Sequence, residues 1–455
     1  MPLWRTKSHD SQAENDASSI QPAEYAENDP AASASQAAST AWLAGHLNHL
    51  TPDQEEKLKE FKALCERNGY YKPEGQGEDG KASHDDATML RFLRARKFDV
   101  NGAWGQFKDT EDWRKENAIE ELYANIEVDS YDAARRMYPQ WTGRRDRRGI
   151  PIYVFEIKHL NSKNMAAYNS TMTDPASTAE THQSSTVPQR LLRLFALYEN
   201  LLRFVMPLCT QLPRPHPETP IVSSTNIVDV SGVGLKQFWN LKGHMQDASV
   251  LATAHYPETL DRIFIIGAPA FFPTVWGWIK RWFDPVTTSK IFILSAAEVK
   301  PTLTSFMDPS SIPKQYGGEL DWQWGDMPNL DKPARELVGA LEIPPAEGET
   351  KPSFTKGPVL FKGDHVEILG KIDGKSRQRT VPVPMPAKDQ ENTNTTDNTE
   401  LEAKMAATSL APAASSTEQS DVQSENENEN ENEKVALSNV ASEKVANGDA
   451  KTVSV

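Results

Sequence analysis

The sequence predicts an α/β protein in which a largely parallel sheet follows an all-helical N-terminal lobe. Residues 51–130 carry apolar side chains at helical spacing. From residue 150 onward, short apolar runs alternate with amphipathic segments. Strands that alternate with helices form right-handed βαβ units, so most of the strands are expected to be parallel.

Both ends of the chain are polar and acidic, which limits the folded region. Residues 1–45 and 389–455 are poor in large apolar groups, so both are predicted to be disordered tails. They carry most of the net charge of −15 among the 455 residues, and 46–389 is nearly neutral. A neutral centre argues against a nucleic-acid binder that depends on bulk positive charge.

The helical lobe is assigned to 46–130. Thr51 is a candidate N-cap for a helix over 52–66, and Asp85 or its neighbour for a helix over 87–95. These helices come before any strand in the chain, so they are expected to form a separate lobe.

The α/β domain is assigned to 131–330, with a charged turn at 143–149 and an exposed polar insertion at 161–187. Beyond it, 331–388 is expected to be an extension with a candidate β-hairpin at 357–372. The predicted strands are 150–157, 221–230, 262–267 and 290–295, and the predicted helices are 188–206, 235–254 and 273–283.

Nothing in the sequence indicates catalysis or a metal site. It contains no GxSxG, Walker A or HExxH motif, and its two cysteines, Cys65 and Cys209, form no CxxC pair. Gly232 and Gly234 follow a strand, as in a dinucleotide-binding loop, but no third glycine comes after them. A nucleotide-dependent enzyme that uses this loop is an alternative hypothesis.

Residues 263–279 form the longest apolar stretch, which is too short to span a bilayer. The helix predicted over 273–283 has an apolar face of Val275, Trp278, Ile279, Trp282 and Phe283, opposite Trp276, Lys280 and Arg281. Tryptophans beside cations are typical of a helix at a membrane surface. The alternative is an ordinary helix that packs against the sheet.

Five motifs occur in the order and spacing of one known family. They are LRARKFD at 93–99, YPE at 256–258, IIGAP at 265–269, DPVTTSK at 284–290 and IPKQYGG at 312–318. On these motifs the chain resembles the CRAL-TRIO family, and within it the fungal phosphatidylinositol/phosphatidylcholine transfer proteins of the secretory pathway. The resemblance runs from about Gln54 to about Leu320.

The resemblance implies a mixed sheet that floors a large apolar cavity, closed by a mobile gate helix at 273–283. One phospholipid would lie inside as the ligand, without a further cofactor or metal. The gate residues expected to contact a membrane are Phe271, Phe272, Trp276, Trp278, Ile279, Lys280, Arg281, Trp282 and Phe283.

The resemblance also implies a site for the phosphatidylinositol headgroup. Two cations would pair with phosphate, a threonine would donate to a phosphate oxygen, and a Glu–Lys ion pair would position these groups. The matching residues are Arg96 and Lys97 for the cations, Thr287 for the threonine, and Glu258 and Lys290 for the ion pair.

The match to the family's choline-lipid site is weaker. Tyr153 lies on a strand at the cavity, and Ser224 stands where a family serine contacts the choline-lipid phosphate. Asn226 replaces a threonine of the family. The second ligand is therefore open between phosphatidylcholine, another lipid and a sterol.

The leading hypothesis is a non-enzymatic protein that binds phosphatidylinositol and transfers it, or presents it to lipid kinases. It implies a cytoplasmic monomer that docks transiently on Golgi, endoplasmic reticulum or endosomal membranes, without a nucleic-acid partner. The alternatives are a carrier of another hydrophobic ligand on the same fold, such as a sterol, a tocopherol-like molecule or haem, and a scaffold whose cavity is vestigial.

Overall fold

The computed structural model describes residues 40–77, 80–170, 187, 189–282, 288–345 and 353–384. The predicted tail 389–455 lies outside these ranges, as does most of 1–45. The end of that first tail differs from the prediction, because Thr40–Leu43 forms a 3₁₀ turn with Leu43 fully buried. The Arg148 guanidinium lies 5.2 Å from the centroid of the Trp42 ring. Four residues are too few to show a hydrophobic period, so the sequence pattern did not predict this turn.

The helical lobe contains α1 (Pro52–Arg67), α2 (Asp86–Ala95), α3 (Val100–Glu116), α4 (Ile119–Asn125) and α5 (Val128–Arg135). Thr51 and Asp85 cap α1 and α2 as predicted, because each side chain accepts a hydrogen bond from a backbone N–H in the first turn. The apolar faces of α1, α2 and α3 meet in a core that includes Phe61, Phe92 and Phe107.

The central sheet consists of β1 (Gln140–Arg145), β2 (Pro151–Glu156), β3 (Ser224–Asp229), β4 (Leu260–Ile266) and β5 (Ile291–Leu294), in that order. Strands β2 to β5 are parallel, and β1 is antiparallel to β2. The predicted α/β fold with a largely parallel sheet is confirmed.

Strand β1 is not in the sequence prediction, which placed a turn at 143–149. The turn is shorter, and Arg144 and Arg145 belong to an edge strand. Their side chains donate to Asn329 Oδ1 at 2.8 Å and to Asp331 Oδ2 at 2.9 Å. Because the strand uses charged side chains to bind a later segment of the chain, it lacks the apolar alternation that marks a strand.

Helices connect the strands: α6 (Ser162–Ser170), α7 (Gln189–Asn200), α8 (Met206–Gln211), α9 (Leu235–His255), α10 (Phe272–Ile279) and α11 (Ala296–Phe306). The helix predicted over 188–206 is present as α7 and continues into α8 through a π turn at Leu201–Val205. Pro207 explains this turn, since a proline ring displaces the carbonyl four residues earlier and opens the helix there.

The insertion predicted at 161–187 is mostly exposed in its first part, as expected, but that part is a helix with one buried side chain. Helix α6 covers 162–170, and its Tyr168 is only 3% exposed. The Tyr168 and Tyr138 rings meet edge to face with centroids 6.3 Å apart. A single buried aromatic ring anchors this otherwise polar helix. The polar composition of the segment therefore gave no sign of that contact. Residues 171–186 lie outside the described residues.

The extension begins with α12 (Lys332–Val338), and its short strands are β6 (Glu342–Ile343), β7 (Ser353–Phe354), β8 (Val359–Phe361), β9 (His365–Ile368), β10 (Lys371–Ile372), β11 (Lys375–Ser376) and β12 (Arg379–Pro382). Strands β8 and β9 form an antiparallel hairpin within 357–372. The Tyr123 hydroxyl donates to Val359 O at 2.8 Å and accepts from Val359 N at 3.1 Å. Val359 and Val366 share a core with Phe204 of the π turn.

Candidate functional site

The two faces of the sheet differ in how completely they are covered. One face is sealed, because Ile152, Ile227 and Phe264 are fully buried in a core completed by α11 and the segment after it. On the other face, strands β2 to β5 each carry an apolar side chain that stays partly accessible, although helices cover this face. These side chains are Phe155, Val228, Ile263 and Ile293. Partly accessible apolar side chains in mid-sheet indicate space that protein atoms do not fill.

Helix α9 lies on this second face and is also incompletely covered. Of its 21 residues, only Phe238 and Leu241 are buried, while Met245, Ala248 and Leu251 are partly buried. The sheet and α9 therefore offer apolar surface for a hydrophobic ligand.

Helix α10 occupies the predicted gate position but presents a different face from the predicted one. Phe272, Val275 and Trp276 are buried against Ile265 and Ile291 of the open sheet face. The prediction placed Trp276 opposite the apolar face, yet Trp276 is 7% exposed and Trp278 is 38% exposed.

The position of the helix start explains this reversal. Helix α10 begins at Phe272, and Phe272 lies one turn before Trp276, with the two rings stacked at 6.4 Å. The α-helix ends at Ile279 and passes into a 3₁₀ turn at Lys280–Trp282, so the helix predicted to 283 is too long. The buried stripe is therefore set by Phe272, which was predicted to precede the helix. Phe283 lies outside the described residues.

Glu258 and Lys290 come together as the resemblance implied. Glu258 lies two residues before β4 and Lys290 one residue before β5, so adjacent parallel strands place them side by side. Lys290 Nζ is 3.5 Å from Glu258 Oε2 and donates to Leu260 O at 3.2 Å. Glu258 itself has a left-handed backbone with φ of 58°. These contacts hold one carboxylate and one ammonium group at the ends of two strands.

Arg94 completes this group and was not predicted as a site residue. Its Nη2 donates to Glu258 Oε2 at 2.8 Å. Burial lowers the pKa of Arg94, and the Glu258 carboxylate acts against that shift. Arg94 lies one helical turn beyond the buried Leu90 of α2, a spacing that could have indicated an inward-facing side chain. Arg94, Glu258 and Lys290 are called the Glu258 cluster below.

Arg96 and Lys97 lie at the end of α2. Arg94, in the last turn of the same helix, connects this end to Glu258. Arg96 is the C-cap residue of α2, and Lys97 has a left-handed backbone with φ of 51°. Both side chains are exposed. Thr287 lies outside the described residues, so its predicted place beside Lys290 stays a prediction.

The YPE motif is held in place at each of its residues. The Tyr256 hydroxyl donates to Glu199 Oε1 at 2.9 Å, and Arg91 Nη1 donates to Pro257 O at 3.3 Å. Arg114 binds both oxygens of Glu199, at 2.7 and 3.0 Å. Burial alone would raise the pKa of Glu199, but the attraction of Arg114 and Arg203 together with the Tyr256 hydrogen bond lowers it. This network fixes the turn from which Glu258 projects.

The residues predicted for a second ligand lie on the same side of the sheet as the open face, where they are themselves buried. Tyr153 of β2 is paired in register with Asn226 of β3. Asn226 Nδ2 donates to Ser224 Oγ at 3.0 Å, and Ser224 Oγ donates to Thr259 O at 3.2 Å. Burial raises the pKa of Tyr153 well above its usual range. The three side chains thus form a polar strip on an apolar face.

A groove of about 460 Å³ lies elsewhere, between the helical lobe and α7 and α8. Its walls include Arg91, Arg114, Glu199 and Arg203. Because these charged groups interrupt the apolar part of the lining, which includes Ile221, the groove is less suited to acyl chains than the sheet face.

A largely parallel sheet with one open apolar face, a covering helix and an N-terminal helical lobe defines a hydrophobic-ligand-binding α/β protein. The CRAL/TRIO domain model matches residues 135–318, and the CRAL/TRIO N-terminal domain model matches residues 57–109. The chain belongs to the CRAL-TRIO family, as the sequence motifs indicated.

Three relatives illustrate how far the similarity extends. A SEC14 cytosolic factor of Kluyveromyces lactis is 30% identical over 61% of this chain and 82% of its own length. A CRAL-TRIO domain-containing protein of Saccharomyces cerevisiae is 31% identical over 61% of this chain and 81% of its own length. A phosphatidylinositol/phosphatidylcholine transfer protein of Arabidopsis thaliana is 32% identical over 52% of this chain and 40% of its own length.

None of the helices in the described ranges combines the length and apolarity that crossing a bilayer requires. Within the same ranges, no group of three His, Cys, Asp or Glu side chains could hold a metal ion.

Proposed function

We propose that this chain binds phosphatidylinositol and transfers it between membranes or presents it at one. The observation that carries this proposal is the Glu258 cluster at the strand ends that border a partly uncovered apolar sheet face. The relative named as a phosphatidylinositol/phosphatidylcholine transfer protein supports the choice of lipid.

The headgroup would contact the cations at the end of α2. Arg96 and Lys97 are exposed there and are free to form charge-assisted hydrogen bonds with a phosphate. Lys290, oriented by Glu258, would donate from the sheet side, and Thr287 would donate to a phosphate oxygen. The acyl chains would lie along Ile263 and Ile293.

A gate is needed because the lipid cannot leave through water. Two acyl chains contain roughly 30 CH₂ groups, and at about 0.8 kcal/mol each their exposure would cost on the order of 20 kcal/mol. Exchange must therefore occur while the open sheet face meets a bilayer. Helix α10, which covers part of that face through Phe272 and Trp276, is the element we expect to move.

The polar strip of Tyr153, Ser224 and Asn226 would bind a second ligand. Phosphatidylcholine is the first candidate, in keeping with the name of the plant relative. Asn226 can both donate and accept hydrogen bonds, so this strip also suits a different headgroup or a sterol hydroxyl.

In the cell, the protein would act as a non-enzymatic carrier that needs no cofactor beyond its bound lipid. We place it in the cytoplasm, where the yeast relative is named a cytosolic factor. It would act as a monomer, dock transiently on Golgi, endoplasmic reticulum or endosomal membranes, and supply lipid kinases.

Native mass spectrometry of the full chain purified from a eukaryotic host tests this proposal. We expect one phosphatidylinositol per protein. Another hydrophobic molecule in its place would keep the carrier fold but contradict the assigned lipid. A protein that carries no lipid, and takes up none from phosphatidylinositol-containing vesicles, would favour the scaffold alternative.

A further inference from the structure

The first turns of α9 expose large apolar side chains. Leu235 is 49% exposed and Trp239 is 57% exposed. Trp278 of α10 is 38% exposed, and its ring meets that of Trp239 edge to face with centroids 5.7 Å apart. Scattered single apolar residues on a surface need no explanation, but two touching, exposed tryptophans from different helices form a patch.

This patch is bordered by cations. Lys242 Nζ lies 5.2 Å from the centroid of the Trp239 ring, and Lys236, Lys280 and Arg281 are exposed. The stretches 230–246 and 263–283 contain no Asp or Glu, although the chain carries a net charge of −15.

Two acidic groups lie near the patch: Asp247, exposed on α9 itself about two helical turns beyond Trp239, and Glu156, which is next to a contact of α9. Gln237 donates to Ile157 O at 3.2 Å, which brings α9 next to Glu156. Glu156 accepts from Lys158 at 2.8 Å and contacts His159 at 3.1 Å, so its charge is balanced locally. The patch therefore keeps a positive character.

We propose that Leu235, Trp239 and Trp278, together with Lys236, Lys242 and Lys280, form a docking surface for an anionic lipid bilayer. We call it the two-helix surface. The proposal rests on the proposed function, since a lipid carrier must meet a bilayer, and it adds α9 to the contact predicted for the gate alone.

The chemistry of the two-helix surface fits the membrane interface. Indole rings favour the headgroup level, where their apolar body is buried and their N–H stays hydrated. Lysine side chains around them meet the negative surface potential of an anionic leaflet. Because Trp278 is on the gate helix and Trp239 is on its neighbour, docking here would place the edge of the gate at the bilayer.

Vesicle flotation of the full chain tests the two-helix surface, using phosphatidylcholine vesicles with and without phosphatidylserine. We expect Trp239→Ala to weaken binding to both vesicle types. Lys236→Gln and Lys242→Gln should each weaken binding about fivefold, which corresponds to about 1 kcal/mol, and only when phosphatidylserine is present. The control is Ile372→Ala, which removes a side chain that is 49% exposed on the extension and should change nothing.

Unchanged vesicle binding by Trp239→Ala would overturn the inference. So would loss of binding that is equal for Trp239→Ala and Ile372→Ala. If Trp239→Ala instead converts a dimer to a monomer in size-exclusion chromatography, the surface joins two copies of the chain and the membrane assignment is wrong.

A thiol probe gives a readout that does not depend on the tryptophan variants folding. Cys65 and Cys209 are both fully buried, so an environment-sensitive dye should label an introduced cysteine selectively. We expect the dye on Leu235→Cys to shift to a more apolar emission with phosphatidylserine vesicles, and the dye on Ile372→Cys to stay unchanged. No shift at position 235 would contradict the inference.

Native mass spectrometry of the same variants separates this inference from the proposed function. Trp239→Ala should keep its bound lipid, because Trp239 points to solvent. If the wild-type chain carries no phosphatidylinositol but binds vesicles through Trp239 and the lysines, the assigned lipid is wrong and the two-helix surface is supported. If the wild-type chain carries phosphatidylinositol but substitutions at these residues leave vesicle binding unchanged, only the proposal of the two-helix surface is wrong.

Discussion

At the residue scale, Glu258 illustrates how a strained residue is held at a site. A left-handed backbone at a residue with a Cβ costs on the order of 1–2 kcal/mol. Arg94 and Lys290 bind the carboxylate, and the network around Tyr256 and Pro257 holds the turn, so the contacts offset the strain. The same contacts orient Lys290 beside the open sheet face.

Removing a proposed headgroup cation should separate the two lipids. We expect Lys97→Ala and Lys290→Ala each to reduce phosphatidylinositol transfer about 10- to 100-fold, since a hydrogen bond to a charged group contributes about 1.5–3 kcal/mol. Phosphatidylcholine transfer should fall less, because Tyr153, Ser224 and Asn226, rather than Lys97 or Lys290, would contact that headgroup. The control is Lys332→Ala, whose side chain is 86% exposed on α12. Equal loss of both lipids would show damage to the fold or gate.

At the scale of elements, edge strand β1 depends on a close backbone approach. Gly143 has φ of 85°, and a Cβ there would lie 2.6 Å from backbone atoms of Asn329. The Asn329 N–H donates to Thr142 O at 2.9 Å, so this approach joins β1 to the segment that leads into α12.

Gly143→Ala should therefore lower the free energy of unfolding by about 2 kcal/mol or more, through backbone strain and the clash with Asn329. Urea denaturation followed by circular dichroism measures it. The matched control is Gly105→Ala in α3, where a Cβ meets nothing within 4 Å and the free energy of unfolding should rise by about 0.5–1 kcal/mol. An equal effect of both changes would mean that the close approach at Asn329 is not required.

At the scale of the whole molecule, two half-buried histidines, His46 and His255, make stability depend on pH. Burial, assisted by Arg114, lowers the pKa of His255 to about 4, and burial, assisted by Arg94, lowers that of His46 to about 4. His255 of α9 stacks on Trp113 of α3, with ring centroids 4.2 Å apart. Both histidines stay neutral in the folded state while the unfolded state takes up protons below its ordinary histidine pKa of 6.5.

The unfolded state therefore binds more protons between about pH 6.5 and 4, and stability falls as the pH is lowered through that range. Each histidine should account for up to about 3 kcal/mol at the acid end. We expect the urea concentration at the unfolding midpoint to be lower at pH 5 than at pH 7. The difference between the two pH values should be smaller in His46→Gln and His255→Gln. The control, Ile372→Ala on the extension, removes no titratable group and should keep the wild-type slope. A slope unchanged in both histidine variants would contradict this account.

The whole molecule also includes the extension that the motifs did not cover. Tyr123 of the helical lobe bonds Val359, and Val366 packs with Phe204 of the π turn. The buried apolar side chains of this hairpin show that it packs on the rest of the fold, but its pattern does not identify the partners, because they lie more than a hundred residues away in the chain.

The parallel β2–β5 sheet could be predicted from the sequence because strand periodicity is a local property, and the order of the five motifs indicated the family. The pairing of Glu258 with Lys290 was implied by the resemblance to that family, and adjacent parallel strands bring the two residues together. The packing of helices and charges could be read only from the fold: Arg94 joins that pair, Trp276 is buried while Trp278 is exposed, and Trp239 lies beside Trp278. Successive side chains of a helix differ by about 100° in direction, so Trp276 and Trp278 point to opposite sides, and packing against the sheet selects which of them is buried. A charge such as Arg94 shows its role only when a distant carboxylate packs against it.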